Sequence, residues 1–133
     1  MPHSDPPSAP RQRVGNARIP RKTLERVSRR VMRCVARDFG IAPAMLSGPT
    51  RGAPRVAFAR QVAMYLMHVD FAVSFDAIGR IFGRDRTTVS HACRVVEDGR
   101  DDIWLDCRLA AIELACRQGR RTGAAPAGPE VRR

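Results

Sequence analysis

The chain has 133 residues, of which 44% are hydrophobic and 5% aromatic, and its formal net charge is +11. This length fits one domain with a small aliphatic core, and the hydrophobic content excludes a wholly disordered chain. The basic excess favours a polyanionic partner, with nucleic acid preferred over a membrane surface. Every basic residue but Lys22 is Arg, the side chain best suited to bidentate contact with phosphate or guanine.

The charge is distributed unevenly along the chain. Residues 1–60 carry 13 basic and 3 acidic side chains, whereas residues 61–133 carry 11 and 10. Such an asymmetry indicates a binding face rather than a uniform basic coat. Five acids of the second half lie close together in the sequence, at Glu97, Asp98, Asp101, Asp102 and Asp106.

Neither a metal site nor a membrane segment is predicted. The four cysteines form no CxxC pair and only three histidines are present, so we expect no metal ligands and no cofactor. The first ten residues lack the pattern of a secretory signal, and the apolar stretch at 61–69 is too short to span a bilayer. These features predict a cytoplasmic protein.

The chain divides into three parts by composition. Residues 1–21 are rich in Pro and Arg without a periodic apolar face, which predicts a flexible basic arm. The arm is either an inert tail or a segment that tracks along DNA. Residues 22–118 form the predicted helical domain, and residues 119–133 are interpreted as a disordered basic tail.

The first predicted helix begins at Lys22 with Thr23 as its N-cap and ends at Gly40. Its apolar side is set by Leu24, Val27 and Val31, followed one turn later by Cys34 and Val35. The opposite side carries a row of arginines, which is either a solvated face or a phosphate-contacting one. The row consists of Arg26, Arg30, Arg33 and Arg37. Of the two interpretations, the solvated face is favoured.

A Gly- and Pro-rich loop at 47–55 precedes a second predicted helix at 56–69. Arg51 and Arg55 lie in this loop. In the helix, Arg60, Gln61 and His68 are expected to point away from the core. Its expected inner face consists of Ala59, Val62, Ala63, Leu66 and Val69.

The stretch 74–94 has the pattern of a helix-turn-helix, in which the second helix places its N-terminal residues at base edges in the major groove. Ser74 is the predicted N-cap of the first helix, Gly83 supplies the turn and Asp85 caps the second helix. At 100° per residue, the second helix separates into two faces. The packed face contains Val89, Ala92, Cys93 and Val96, and the exposed face contains Thr87, His91 and Arg94, flanked by Arg86, Thr88 and Ser90.

A last helix is predicted to open at Asp101 and Asp102, where acids suit the positive end of the helix dipole. The acidic cluster either caps helices or turns this surface away from DNA, and capping is favoured. Trp104 is assigned to the core, together with Ile103, Leu105, Leu109, Ile112 and Cys116.

Two sequence patterns resemble the C-terminal DNA-binding domain of the bacterial replication initiator DnaA. One is Arg60-Gln61 at the start of an Ala/Met/Leu-rich helix, and the other is the run from Ile78-Gly79 to Arg94. The resemblance covers residues 22–117. It implies an all-α, compact helical domain with a helix-turn-helix, similar to that of the Trp repressor and of the DnaA C-terminal domain, binding a short DNA box as a monomer.

The resemblance also assigns DNA-contacting roles by position. Asp85, Arg86, Thr87, Thr88 and His91 would lie in the major groove. Arg60 and Gln61 would contact backbone and base edges, and the loop bearing Arg51 and Arg55 would approach the minor groove. The sequence departs from the family at Arg86, where His is common, at the single Gly83, and at Gly52, which replaces a basic residue.

These patterns predict a sequence-specific double-stranded DNA-binding protein that is not an enzyme. No GxxxxGK[ST] motif is present, so no nucleotide binding is expected. The protein would occupy DnaA-box-like sites as a transcriptional regulator or as a modulator of replication initiation. The alternative is a protein-interaction module that keeps the fold and docks an unknown partner through its acidic cluster.

Overall fold

The computed structural model describes residues 19–48 and 53–122. Within these ranges the chain forms five α-helices and one short 3₁₀ turn but no strand, which confirms the predicted all-α fold. The predicted arm and tail lie outside the described residues, except for 19–21 and 119–122. The helices are α1 (Arg21–Phe39), α2 (Pro54–Phe71), α3 (Phe75–Phe82), α4 (Arg86–Gly99) and α5 (Ile103–Thr122), with the 3₁₀ turn Pro43–Met45 between α1 and α2.

Helix α1 begins earlier than its sequence pattern indicates. Pro20 is the residue before its first turn and makes no side-chain capping bond. Thr23 therefore lies inside the helix, and its prediction as N-cap is wrong. The helix ends as expected at Gly40, whose φ of +68° lets its N–H reach the carbonyl oxygens of Ala36 and Arg37.

Helix α2 is the centre of the domain. Every residue from 62 to 67 is buried, because α1 and α4 both pack against this helix. Such a helix shows no single apolar face. It starts at Pro54, two residues before the predicted start, so Arg55 belongs to its first turn rather than to the loop. Val69, predicted to be internal, is 51% exposed, because it lies in the last turn before the helix ends at Phe71.

The turn between α3 and α4 depends on two glycines. Gly83 adopts a φ of +67°, which L side chains rarely tolerate. Gly79 lies directly against this turn, and a Cβ at its position would come within 2.5 Å of the Arg84 carbonyl oxygen. At the start of α3, the Ser74 hydroxyl accepts a hydrogen bond from the Ala77 N–H at 3.2 Å, which confirms the predicted cap.

Helix α5 packs along α1. Leu109, Ile112 and Cys116 are buried as predicted, whereas Trp104 is 82% exposed and Ile103 is 68% exposed. The assignment of these two side chains to the core is wrong. Trp104 lies one residue, or 100°, away from the row of apolar positions that begins at Leu105. The helix continues to Thr122, past the boundary expected at residue 118.

A polar network joins α2, α4 and α5 and involves part of the acidic cluster. The Tyr65 hydroxyl donates to Glu97 Oε1 at 2.7 Å. Arg100, which follows α4, contacts Asp106 at 2.6 Å and Glu113 at 3.2 Å. Asp102 Oδ1 accepts from the Trp104 N–H at 3.1 Å, as a cap does. Three acids of the cluster, Glu97, Asp102 and Asp106, thus make contacts inside the domain.

Candidate nucleic-acid interface

The N-terminus of α4 is organised by Asp85. Its Oδ1 accepts hydrogen bonds from the Thr88 N–H at 3.1 Å and from the Thr87 hydroxyl at 3.2 Å. The bond from the Thr88 backbone is the main reason that the pKa of Asp85 lies below its usual value. The carboxylate is therefore ionised, and these hydrogen bonds fix its orientation at the start of α4.

Helix α4 presents a polar face to solvent. Five of the six predicted reading side chains are exposed and Ser90 is half-buried. On the other side of the helix, Val89, Ala92, Cys93 and Val96 are buried as predicted. The exposed set offers hydroxyl, imidazole and guanidinium groups without an acidic side chain, and it comprises Arg86, Thr87, Thr88, His91 and Arg94.

Arg86 is also linked to the first helix of the motif. Its Nε lies 3.4 Å from Asp76 Oδ1, and both side chains are largely exposed. An exposed ion pair contributes at most about 1 kcal/mol. A phosphate or a guanine edge can therefore compete with Asp76 for this guanidinium.

Arg60 has a different position from the one expected. The residue is only 6% exposed, although the sequence pattern predicted that it would point away from the core. Its Nε donates to the Leu46 carbonyl oxygen at 2.6 Å and its Nη2 to that of Met45 at 3.2 Å. Burial lowers the pKa of Arg60, and the nearby Arg84 lowers it further.

Arg84 has no predicted role, yet it connects the turn to the segment before α2. Its Nη1 donates to the Phe82 carbonyl oxygen at 2.7 Å, and its Nη2 lies 3.4 Å from that of Gly48. Arg60 and Arg84 together bind three carbonyl oxygens within residues 45–48. One feature of the sequence pointed to this role. Gly83 and Asp85 are sufficient to form the turn and cap α4, so an arginine between them is not required by the turn itself.

The remaining candidate residues lie nearer the start of α2. Gln61 is half-buried and Arg55 is exposed in the first turn of the helix. Arg51 lies outside the described residues. The helix-turn-helix and α2 are thus linked through Arg84 and Arg60, which both bind carbonyl oxygens of residues 45–48.

Comparison with known proteins identifies the family of this domain. Residues 28–96, from α1 to the buried Val96 of α4, match the family described as bacterial dnaA protein helix-turn-helix. This match covers more than half of the chain. The chain belongs to the bacterial DnaA helix-turn-helix family. The resemblance inferred from the Arg60-Gln61 pair and the run to Arg94 is thereby confirmed.

Curated relatives agree with this assignment. The chain is 38% identical over 106 residues to the chromosomal replication initiator protein DnaA of Thermomicrobium roseum, covering 79% of this chain and 22% of that protein. It is 40% identical over 97 residues to DnaA of Thermus thermophilus, an alignment that covers 71% of this chain and 22% of that protein. It is 47% identical over 66 residues to DnaA of Bifidobacterium animalis subsp. lactis, an alignment that covers 48% of this chain and 11% of that protein.

The chain spans less than a quarter of the length of these DnaA relatives. The shared part is the DNA-binding helix-turn-helix region. Among residues 19–48 and 53–122, no group of His, Cys, Asp and Glu is placed to hold a metal ion. No helix in the described part of the chain has the length and apolarity needed to cross a bilayer.

Proposed function

We propose that this DnaA-type domain is a sequence-specific double-stranded DNA-binding protein, with α4 as its recognition helix. The observation that carries the proposal is the exposed polar face of α4, which starts at a capped N-terminus directly after a tight turn. This is the geometry in which a helix-turn-helix presents its second helix to the major groove. Family membership supports DNA binding in general.

The residue types on this face suit base readout. Threonine methyl groups pack well against thymine methyl groups, a fixed carboxylate accepts from the cytosine amino group, and arginine donates to guanine or phosphate. We therefore assign base contacts to Asp85, Thr87, Thr88 and His91. Arg86 would join them in the major groove, and Ser90 and Arg94 would complete the DNA-contacting face of α4.

The start of α2 completes the proposed interface. Arg55 is exposed there and takes part in none of the described ion pairs. With Arg51 and Gln61 it would contact the DNA backbone or the minor groove next to the site that α4 reads. Arg60 remains part of this proposed set, but its burial means that a direct contact requires its side chain to leave the carbonyl oxygens it now binds.

The biological role that we propose is occupancy of DnaA-box-like sites by a monomer, as a transcriptional regulator or as a modulator of replication initiation. The sequence given carries no GxxxxGK[ST] nucleotide-binding motif, so a bound box would be occupied without a nucleotide-driven step on this chain. No catalytic role is proposed for any residue of the interface.

The experiment is a fluorescence anisotropy titration of the full chain with a DnaA-box duplex and a scrambled duplex of the same length and composition. The proposal predicts at least tenfold tighter binding to the box at about 150 mM salt, with affinity for both duplexes falling steeply as salt rises. Equal affinity for the two duplexes would refute sequence-specific occupancy of such boxes.

The second candidate is a protein-interaction module that uses the acidic cluster. Its support is weaker in the structure, because Glu97, Asp102 and Asp106 are engaged with Tyr65, a helix N-terminus and Arg100. Failure of the chain to bind any duplex near physiological salt would favour this module.

A further inference from the structure

Helix α1 carries a second basic surface, which we call the arginine face and define as Arg26, Arg29, Arg30, Arg33 and Arg37. At 100° per residue these five positions fall within an arc of about 100°, and they extend along about 16 Å of helix. Arg30 is half-buried and the other four are exposed. The apolar side of the helix, with Val31 and Val35 fully buried, faces the core.

The positive charge of this face is not neutralised within the described part of the chain. Helix α1 contains two acids, Glu25 and Asp38. Glu25 pairs with Arg21 at 3.8 Å, and Asp38 pairs with Arg108 of α5 at 2.5 Å. None of the described ion pairs involves an arginine of the arginine face.

A neighbouring thiol is influenced by the same charge. The pKa of Cys34 is lowered to about 7, first by a hydrogen bond with Cys116 and then by the positive charges of Arg37, Arg30 and Arg33. These guanidinium groups thus act on the local electrostatics as a group. The surface is suited to an extended anion rather than to a single counter-charge.

The arginine face and the reading face of α4 lie on two helices that differ in one of their main packing partners. Helix α1 packs on α2 and α5, whereas α4 packs on α2 and α3. Each of the two helices turns its apolar side toward the core, and the arginine face lies on the outer side of α1. We therefore expect a short duplex bound along α4 to leave the arginine face accessible.

We propose that the arginine face binds the phosphate backbone of a second DNA segment, so that one chain bridges two duplexes. One DNA strand carries a phosphate every 3.4 Å or so along the axis. Because the strand winds around this axis, a straight face about 16 Å long meets only a few of these phosphates, and each guanidinium group can bind one in a bidentate manner. No apolar side chain is needed for such a contact, and it carries no base specificity.

A lipid surface fits this helix less well than DNA does. Helices that lie in a membrane interface insert an exposed apolar face between the headgroups. The apolar side chains of α1 are instead used in the core, as the burial of Val27, Val31 and Val35 shows. The outer side of α1 therefore offers only the guanidinium groups of the arginine face, and these suit a regularly charged polymer such as DNA.

The test measures bridging with the full chain. A biotinylated box duplex on beads captures the chain, and recovery of a second, fluorescent duplex of unrelated sequence is recorded at about 100 mM salt. The proposal predicts recovery with the wild-type chain and a loss of about tenfold for Arg29→Gln/Arg33→Gln. This variant should bind a short box duplex in solution as the wild type does, with the same salt slope.

The control variant removes the same charge from outside the face. Arg21 and Arg117 are exposed, and Arg21 lies on the other side of α1 by helical position. Arg21→Gln/Arg117→Gln should retain bridging, and an equal loss would show a general charge effect and overturn the proposal. A wild-type chain that recovers no second duplex would overturn it as well.

Two further outcomes contradict the proposed geometry. If Arg29→Gln/Arg33→Gln weakens binding to one short duplex and lowers its salt slope by about two, the arginine face belongs to the primary interface. If sedimentation shows two chains for every two bridged duplexes, self-association explains the recovery. A chain that binds box and scrambled duplexes equally could still bridge two duplexes, and a chain that prefers the box could fail to bridge. The inference and the proposed function can therefore fail separately.

Discussion

The guanidinium of Arg60 donates from Nε to the Leu46 carbonyl oxygen at 2.6 Å. This bond joins α2 to the segment that follows the 3₁₀ turn, across 14 residues of sequence. A buried side chain with this contact supports the fold, whereas the family resemblance assigned Arg60 to DNA. A substitution of Arg60 distinguishes the two roles, because a structural role changes the free energy of unfolding and a DNA-contacting role changes the affinity for DNA.

Arg60→Ala is expected to lower the free energy of unfolding by about 2–3 kcal/mol, because a buried charged hydrogen bond to the Leu46 carbonyl oxygen and a partly buried one to that of Met45 are lost. Urea unfolding measures this change. Arg55→Ala is the matched control: Arg55 is exposed five residues earlier in the same helix, and its removal should change stability by less than about 0.5 kcal/mol. An Arg60→Ala chain with wild-type stability and a salt slope lower by about one would identify a direct phosphate contact instead.

Gly79→Ala is expected to destabilise the domain by about 1–3 kcal/mol, because the new Cβ meets a backbone atom, the Arg84 carbonyl oxygen, at 2.5 Å. Thermal unfolding followed by circular dichroism measures the effect. In Gly99→Ala the nearest atom is the end of the flexible Leu105 side chain at 2.7 Å, so a smaller loss is expected. A Gly79→Ala chain as stable as the Gly99→Ala chain would show that the turn readily shifts.

Asp70 should make stability depend on pH. Its Oδ2 is buried without a hydrogen-bond partner among the described residues. Burial, reinforced by the Glu113 carboxylate, raises the pKa of Asp70 to about 6, although Arg117 and Arg100 oppose the shift. The folded state therefore binds this proton more tightly than the unfolded state, and the resulting stabilisation is lost as pH rises from about 4 to about 6.

Asp70→Asn tests this origin of the pH dependence. The variant should be more stable than the wild type at pH 7.5 by about 1 kcal/mol, allowing for solvent screening of a partly exposed group. Its free energy of unfolding should also decline less between pH 4.5 and 6.5, as measured by urea unfolding at each pH. An unchanged slope over that range would assign the proton uptake to another group.

Trp104→Ala should change the free energy of unfolding by less than about 0.5 kcal/mol, because the side chain is 82% exposed. Leu109→Ala, at a buried position of the same helix, should cost about 2–5 kcal/mol. The Trp104 fluorescence maximum of the wild type should be that of a hydrated indole. A blue-shifted maximum or a large loss on Trp104→Ala would place the indole in a packed environment.

The parts of the fold that were predicted correctly are those set by local geometry. Ser74, Gly83 and Asp85 act through bonds and dihedral angles within a few residues, so their sequence spacing was sufficient. The two faces of α4 followed from helical periodicity, because this helix has one packed side and one exposed side.

The parts that were predicted incorrectly depend on tertiary neighbours. Val69 and Trp104 are apolar and lie at or next to the apolar positions of their helices. Their spacing does not show whether another helix covers them. Arg60 lies within a helix buried along most of its length, so periodicity could not place its side chain. Its partners are backbone carbonyl oxygens, which the sequence does not specify. The role of Arg84 was missed for the same reason.

The exposed face of α4 is proposed to read base sequence, and Thr88→Ala is the substitution that tests this role. Thr88 is exposed, and alanine at this position preserves the helix and the backbone N–H that Asp85 caps. The measurement is the ratio of dissociation constants for a box duplex and a scrambled duplex, determined by anisotropy for the wild type and the variant. A base-reading role for α4 predicts that binding to the box weakens by about 1–3 kcal/mol while binding to the scrambled duplex is unchanged. An equal loss on both duplexes, or no loss on either, would contradict it.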